Sequence, residues 1–167
     1  MQTLLAARDI QERIGSLATD IRRDHPGGVH LVCVLKGAFM FLSDLTRALE
    51  GETTLDFIAV SSYGSSTKSS GQVQLIKDLD ASIEGRPVVI VEDIVDTGLT
   101  LNYLQDMLRA RSPQSVRTAC LLSKPSRRKI DVKVEYVGFE IPDKFVVGYG
   151  LDYDEKYRNL PYIAVLD

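Results

Sequence analysis

Carboxylates and hydroxyls cluster at one point of the chain, where residues 88–100 read VVIVEDIVDTGLT. The aliphatic run that opens this stretch predicts a strand buried on both faces, as in parallel sheets. Glu92 and Asp93 follow that run, and Asp96 comes shortly after them. Residues 97–100 then lead into a helix with apolar periodicity. Because open α/β sheets bind ligands at the carboxyl ends of their strands, the stretch predicts a ligand site.

The residue types indicate what this site binds. A helix that begins after Gly98 offers backbone N–H groups and a positive dipole end, which suit a phosphate. Thr97 and Thr100 add hydroxyl donors at the same place. Carboxylates would repel that phosphate unless they face another part of the ligand, such as ribose hydroxyls or Mg²⁺. We therefore expect a phosphorylated sugar as ligand and Mg²⁺ as cofactor.

Other interpretations of the acidic stretch explain less of it. Neither G-x-x-x-x-G-K-[ST] nor G-x-G-x-x-G, the common nucleotide-binding motifs, occurs in the sequence. A phosphoacceptor receiver domain would carry its acidic pair near the amino terminus, whereas this pair lies at residues 92–93. A strand end with solvated carboxylates would explain the pair alone, but not Asp96, Gly98 and the two threonines at this spacing.

Three ordered segments resemble one family. Residues 92–100 are similar to the phosphoribosyl-pyrophosphate (PRPP) signature of the type I phosphoribosyltransferases, and Asp at position 96 resembles the 6-oxopurine enzymes among them. Leu35-Lys36-Gly37 resembles their pyrophosphate loop, and residues 139–153, FEIPDKFVVGYGLDY, resemble their base-binding segment. The resemblance implies transfer of a 5-phosphoribosyl group from PRPP to hypoxanthine, and to guanine, with release of pyrophosphate.

The resemblance implies catalytic and metal-binding roles for four carboxylates. Asp96 matches the acid/base group that works at purine N7. Glu92 and Asp93 would hold the ribose hydroxyls beside Mg²⁺, and Asp152 matches a second magnesium ligand.

Contacts to PRPP are implied for residues from three parts of the chain. The expected PRPP-binding residues are Glu92, Asp93, Thr97, Gly98, Leu99, Thr100, Lys36, Gly37 and Arg158. Those at 97–100 would cradle the 5′-phosphate, whereas Lys36, Gly37 and Arg158 would contact pyrophosphate. The resemblance also implies a cis peptide between Leu35 and Lys36. Position 99 is Leu where some relatives carry a basic residue, which removes one charge contact to the 5′-phosphate.

Four residues are expected to bind the purine. Lys124 matches the lysine that donates to O6, and Phe145 matches the aromatic ring that stacks on the base. Val146 and Asp152 would read the base edge. Because Lys124 favours a 6-oxo group, adenine is disfavoured, while an enzyme that prefers xanthine stays open as an alternative.

The stretch 61–71, SSYGSSTKSSG, has two interpretations. Its composition predicts a flexible connection, which is either a solvated hairpin loop or a lid that excludes water from the reaction. The family carries a mobile loop with a Ser-Tyr pair, so the resemblance implies a lid that contains Ser62 and Tyr63.

Elements that position these residues can be read from hydrophobic periodicity. Alternating strands and helices favour a mostly parallel sheet covered on both faces. The resemblance implies the same: an α/β, type I phosphoribosyltransferase fold with helices flanking the sheet and a small hood from the chain ends. Helices are predicted over 10–21, 41–49 and 101–108, and strands over 31–35, 55–61, 88–91, 116–122, 145–148 and 163–166.

Composition sets the outer limits. A chain of 167 residues with 26% charged and 44% hydrophobic residues is typical of one globular domain, here 1–167. No apolar run approaches the length of a membrane span, and the amino terminus lacks the features of a signal peptide, so we expect a cytoplasmic protein. Cys33 and Cys120 lie in apolar runs and are interpreted as buried hydrophobes.

Partners are expected to be PRPP and a 6-oxopurine, with no membrane partner. A net charge of −3 gives no reason to expect nucleic acid. An RNA-binding regulator on the same fold nevertheless stays open, since some proteins with this fold act so. Family members form dimers or tetramers, so a homodimer or homotetramer is expected. The basic face of such a regulator would consist of Arg109, Arg111, Arg117, Arg127, Arg128 and Lys129.

Overall fold

The structure, a computed structural model, describes residues 1–62 and 73–167, the side chain of Ser62 excepted. The predicted lid residues therefore lie outside the described part, Tyr63 entirely and Ser62 with its side chain.

A sheet of six strands forms the centre of the fold. In spatial order these are β4 (Val73–Lys77), β3 (Thr53–Ser62), β2 (Val29–Leu35), β5 (Pro87–Val95), β6 (Ser115–Ser123) and β7 (Tyr136–Glu140). Neighbouring strands are parallel except for the edge strand β4, which runs antiparallel to β3. The chain adds β3 to one side of β2 and later adds β5 to the other side. The strand order therefore reverses between β2 and β5, which creates the crevice where open α/β sheets bind ligands.

Helices cover the two faces of this sheet. Helices α1 (Ala7–Asp24) and α2 (Phe39–Ala48) pack on one face, where alternate β5 residues such as Val89 and Val91 are buried. Helix α3 (Leu99–Arg109) packs on the other face, where Leu104 joins the remaining β5 residues and Ile58. Successive residues of β5 are buried on opposite faces of the sheet, which explains why β5 reads as a continuous apolar run in the sequence.

A second, smaller sheet joins the two ends of the chain. It consists of β1 (Gln2–Leu5), β9 (Ile163–Val165) and β8 (Val146–Val147), with β9 in the middle and antiparallel to both neighbours. This is the hood that the sequence analysis expects, and the predicted α/β fold class is confirmed.

The structure extends some predicted elements and adds others. Strand β5 runs to Val95, so Glu92 and Asp93 lie within its last residues and not beyond its end. Strands β1, β4 and β7 carry no strong apolar run and are absent from the sequence-based set. A short 3₁₀ helix over Pro125–Arg127 follows β6 and leads back to the site.

Both cysteines are buried, as predicted. Burial raises the pKa of the Cys33 thiol and of the Cys120 thiol to about 12, so both stay protonated at neutral pH. Among the described residues, no helix is long and apolar enough to cross a membrane.

The packing of α3 supports a stability prediction. Leu104 is fully buried, so Leu104→Ala is expected to lower the free energy of unfolding by about 2–5 kcal/mol through lost contacts and the cavity left behind. Asp106 lies on the exposed side of the same helix, and Asp106→Ala is the matched control, expected to stay within about 0.5 kcal/mol of the parent. Chemical denaturation of both variants measures the difference. Equal effects would contradict the assignment of α3 to the core.

Candidate active site

The predicted site residues gather at the carboxyl ends of the parallel strands. Lys36 and Gly37 follow β2, Asp96 follows β5 and Lys124 follows β6. Since β2, β5 and β6 are neighbours in the sheet, these segments share one edge of it, on both sides of the switch point. The base-binding segment, residues 139–153, approaches the same edge from β7 and the hood.

The turn between β5 and α3 is built to expose backbone donors. Gly98 has φ of 89°, and a side chain at this position would meet the carbonyl oxygen of Ile130 at 3.0 Å, so glycine is required on both grounds. The Thr97 hydroxyl accepts a hydrogen bond from the backbone N–H of Leu99 at 3.3 Å. The first N–H groups of α3, from Leu99 and Thr100 onwards, have no partners within the helix. This geometry favours an anion at the predicted phosphate site.

Glu92, which is buried, and Asp93, which is partly buried, form an acidic pair at the end of β5. Burial raises the pKa of Glu92 well above its ordinary value, and the adjacent Asp93 carboxylate raises it further by repulsion. Burial also raises the pKa of Asp93, although hydrogen bonds from its surroundings and the charge of Arg158 oppose the shift. Two carboxylates held this close bind a cation or hydroxyl donors favourably, because either relieves their repulsion.

The loop after β2 packs tightly against this pair. The Leu35–Lys36 peptide is cis, as the resemblance implies. A Cβ atom at Gly37 would overlap the Asp93 carboxylate, so the backbone of the loop lies directly on that side chain. A Cβ at Gly150 would overlap the carbonyl oxygen of Gly37, so the base-binding segment packs on the same loop from its other side.

Two cations and two carboxylates form a network beside this loop. The Arg158 guanidinium donates to the carbonyl of Gly150 at 2.7 Å and lies 3.5 Å from Asp152 and 3.3 Å from Glu155. The Lys36 ammonium lies 3.5 Å from the other oxygen of Glu155. The cations Arg158 and Lys36 hold the pKa of Glu155 below its ordinary value. Sequence analysis missed Glu155, because an isolated exposed acid carries no motif.

A second ionic network lies at the ends of β5 and β6. The Arg127 Nε donates to Asp96 at 2.9 Å, and its guanidinium also lies 3.8 Å from Asp143. The ammonium of Lys124, whose side chain is nearly buried, lies 3.7 Å from the other oxygen of Asp143. The four charges therefore link Asp96 to Lys124, a connection that the sequence pattern does not indicate.

The base-binding segment presents an aromatic face. Phe145 precedes β8, is about half exposed at 52%, and packs edge-to-face on Tyr153 with ring centroids 5.7 Å apart. Val146 is buried in β8, where it pairs with Val165. Tyr153 thus packs on the ring of Phe145 and the hood holds its backbone, while half of the residue stays exposed and available to a planar ligand.

A cleft of about 600 Å³ opens at the opposite, amino-terminal edge of the sheet, where His30 and Arg86 are among the lining residues. None of the predicted site residues is among the described residues that line it. The chemistry of the site described above does not extend to this cleft.

Comparison with known proteins identifies the family. Residues 1–154 match the phosphoribosyl transferase domain family, and the chain belongs to this family. A hypoxanthine-guanine phosphoribosyltransferase of Bacillus subtilis is 50% identical over 166 residues, which covers 99% of this chain and 92% of the relative. One from Mycobacterium tuberculosis is 52% identical over 171 residues, covering 98% of this chain and 85% of the relative.

The fold is likewise shared with solved structures. A crystal structure of a hypoxanthine-guanine phosphoribosyltransferase from Bacillus anthracis, with a HEPES molecule in its active site, superimposes with a TM-score of 0.96. The two chains are 48% identical, and the match covers 100% of this chain and 99% of the other. The type I phosphoribosyltransferase fold predicted from the sequence is therefore confirmed.

The close packing of the loop after β2 can be tested by adding a methyl group. Gly37→Ala is expected to lower the free energy of unfolding by about 1–3 kcal/mol, because the new Cβ displaces the Asp93 carboxylate in a tightly packed place. Gly27→Ala is the control, since a Cβ there meets open space. Urea denaturation of both variants checks the difference. A Gly37→Ala protein as stable as the control would show that the loop does not rest on Asp93.

Proposed function

We propose that this chain transfers the 5-phosphoribosyl group of PRPP to hypoxanthine, and to guanine, giving the nucleoside monophosphate and pyrophosphate. One observation carries the proposal. The backbone N–H of Lys124 donates to the carbonyl of Val95 at 2.9 Å, which brings the start of the Lys124 segment beside Asp96. A carboxylate for N7 and an ammonium for O6 thus come from adjacent strand ends. N7 and O6 lie side by side on one edge of a 6-oxopurine.

The reaction breaks the bond from ribose C1′ to pyrophosphate and forms a bond from C1′ to purine N9. Positive charge develops on the ribose, as in glycosyl transfer, while negative charge develops on the departing pyrophosphate. Asp96 accepts the purine proton at N7 as N9 attacks, and it returns a proton in the reverse reaction. Lys124 donates to O6 and so holds the base in the correct orientation.

Phosphate groups are held at two places. The amino-terminal turn of α3, with Thr97 and Thr100, receives the 5′-phosphate through backbone and hydroxyl donors. Lys36 and Arg158 receive the pyrophosphate, and the backbone of Gly37 lies close enough to Asp93 to hold pyrophosphate and ribose next to each other. Both cations now pair with exposed Glu155, an interaction weak enough to be exchanged for a substrate anion.

The purine is enclosed by residues of the base-binding segment. Phe145 offers a half-exposed ring face for stacking, and the backbone of Val146 is fixed in β8 to read the base edge. Asp152 lies near Arg158, where it can face the 2-position of the base or a metal ion. A 2-amino group and a 2-oxo group differ in hydrogen-bond polarity, so a xanthine-preferring enzyme is the alternative on the same site.

The acidic residues fit Mg²⁺. Mg²⁺ usually takes one or two protein carboxylates and completes its shell with waters and substrate phosphates. Among the described residues there is no cluster of three or more His, Cys, Asp or Glu suited to a metal, which agrees with a site completed by PRPP. Glu92 and Asp93 would hold one ion near the ribose, and Asp152 would hold a second. When bound, the ions supply positive charge to the leaving pyrophosphate.

The RNA-binding alternative has less support. Arginines that a basic face would need are engaged by carboxylates: Arg111 with Asp78 at 2.8 Å and Arg117 with Asp24 at 3.0 Å. Arg127 pairs with Asp96. A surface whose arginines are already neutralised attracts a polyanion weakly.

We also propose that residues 1–167 act as one domain and assemble into a homodimer or homotetramer. Large apolar side chains at the sheet edge support an assembly, since Leu55 on β3 and Ile76 on β4 are 43% and 63% exposed.

Pyrophosphate release measures the proposed activity directly. Protein with PRPP, Mg²⁺ and hypoxanthine, guanine, xanthine or adenine is assayed in parallel with Asp96→Asn. We expect turnover with hypoxanthine and guanine, and a loss of about 10²-fold or more in the variant, because an amide cannot take the N7 proton. Turnover with xanthine alone would select the alternative enzyme. An inactive protein whose affinity for RNA falls steeply with salt would favour the regulator.

Removal of Mg²⁺ tests whether the proposed reaction requires this cation. Chelation with EDTA is expected to abolish turnover, since the pyrophosphate then leaves without the cation's positive charge, and excess Mg²⁺ should restore it. Ca²⁺ is expected to restore it poorly, because it prefers longer bonds and more ligands than Mg²⁺. Isothermal titration with PRPP, with and without Mg²⁺, gives a second measure. Equal turnover in EDTA would refute the metal assignment.

A further inference from the structure

We propose that Arg128 is a positioning residue that fixes Asp96 and Lys124 relative to each other and so aligns the N7–O6 edge of the purine. The inference rests on the proposed function, since it concerns the two residues that meet the base. Arg128 itself is not expected to touch either substrate.

The Arg128 guanidinium bonds to both strand ends at once. One terminal nitrogen donates to the carbonyl of Val95 at 2.9 Å and to the carbonyl of Asp96 at 2.9 Å. The same nitrogen lies 3.4 Å from the carbonyl of Lys124. The other terminal nitrogen donates to the Ser123 hydroxyl at 2.8 Å. A single side chain therefore joins the end of β5 to the end of β6.

Position in the sheet shows why such a link is needed. Val95 and Ser123 are the last paired residues of the β5–β6 ladder. Asp96 and Lys124 are the next residues of their segments, and one backbone bond, from the Lys124 N–H to the Val95 carbonyl at 2.9 Å, still joins the two strands there. Arg128 continues the connection just past the end of the ladder, at the carbonyls of the two residues that carry the chemistry.

The proposed site holds the purine at two points, so the distance between the Asp96 carboxylate and the Lys124 ammonium is important. N7 and O6 are fixed relative to each other by the purine ring, so the Asp96 carboxylate and the Lys124 ammonium must be held at a matching distance. A misplacement of about 1 Å at a reacting centre can cost on the order of 10²-fold in rate. The ionic contact of Arg127 with Asp96 is about half exposed on both sides, so it holds the carboxylate less firmly than a part-buried set of backbone bonds holds the loop.

Only the fork geometry of arginine serves these acceptors. Its two terminal nitrogens face different groups, the three carbonyls on one side and the Ser123 hydroxyl on the other. A lysine presents its three donors from one atom and cannot reproduce that spread. Arg128→Lys therefore keeps the charge and loosens the link.

Arg13 offers a matched control. Its guanidinium also donates to two backbone carbonyls, those of Gly138 at 2.9 Å and Val137 at 2.7 Å, but on β7 and away from Asp96 and Lys124. Arg128→Lys and Arg13→Lys thus remove the same kind of interaction at the site and away from it. The free energy of unfolding of both variants shows how much stability each loses.

Steady-state kinetics of the two variants test the inference. Arg128→Lys is expected to reduce kcat/KM for hypoxanthine by about 10- to 100-fold, while KM for PRPP changes little. Arg13→Lys is expected to leave both constants within about twofold. Ser123→Ala, which removes one acceptor of Arg128, is expected to shift kcat/KM for hypoxanthine in the same direction by a smaller factor. This milder variant decides the question if Arg128→Lys does not fold.

A double-mutant cycle with Asp96→Asn gives the second readout. If Arg128 acts through Asp96, the reduction of kcat/KM in the double variant is smaller than the product of the reductions in the two single variants. Once residue 96 is an amide that cannot take the proton, its misplacement costs little further activity. Multiplicative losses, or kinetics of Arg128→Lys that match those of Arg13→Lys, would overturn the positioning role while the wild-type enzyme turns over. A wild-type protein without turnover would overturn the proposed function and this role together.

Discussion

The reversal of strand order between β2 and β5 is the constraint on which the site depends. Parallel strands place their carboxyl ends at one edge of the sheet, so Lys36, Asp96 and Lys124 meet there although they are far apart in sequence. The crevice at the reversal gives room for the loop after β2 to lie on Asp93. If any of these strands ran antiparallel, its functional segment would lie at the opposite edge.

Two networks of paired charges surround this site before any substrate arrives. Lys36 and Arg158 face Glu155, and the Asp96–Arg127 pair connects through Asp143 to Lys124. Each charge in these two networks thus has an internal partner, whereas the Glu92–Asp93 pair stays repulsive until a cation or hydroxyl donors bind. Binding of PRPP and a purine then exchanges partners within these networks, which limits the desolvation cost.

The motif-bearing parts of the site are readable from sequence, because a phosphate turn, an acidic strand end and a base-binding segment each need particular residues at fixed spacing. Strand β5 and helix α3 show this best, since their periodicity and their chemistry coincide. What surrounds these parts is less readable. Glu155 and Arg128 act through contacts made only once distant segments meet, and β1 and β4 are short strands whose pairing is decided by their neighbours. Arg127 is an example. Its position in a basic run of the sequence indicates an exposed basic surface, whereas in the structure its guanidinium donates to the Asp96 carboxylate.

The hood also governs the order in which the site can be assembled during synthesis. Strand β9 lies between β1 and β8, and the backbone N–H of Leu166 donates to the carbonyl of Phe145 at 3.0 Å. The strands that hold the phosphate turn are all translated earlier than Ile163–Val165. Residues of the hood such as Val146 and Ile163 also belong to the core under α1 and α2. Because a domain folds as a unit, the stacking face of Phe145 gains its backbone support only after β9 has been synthesised and has joined the hood.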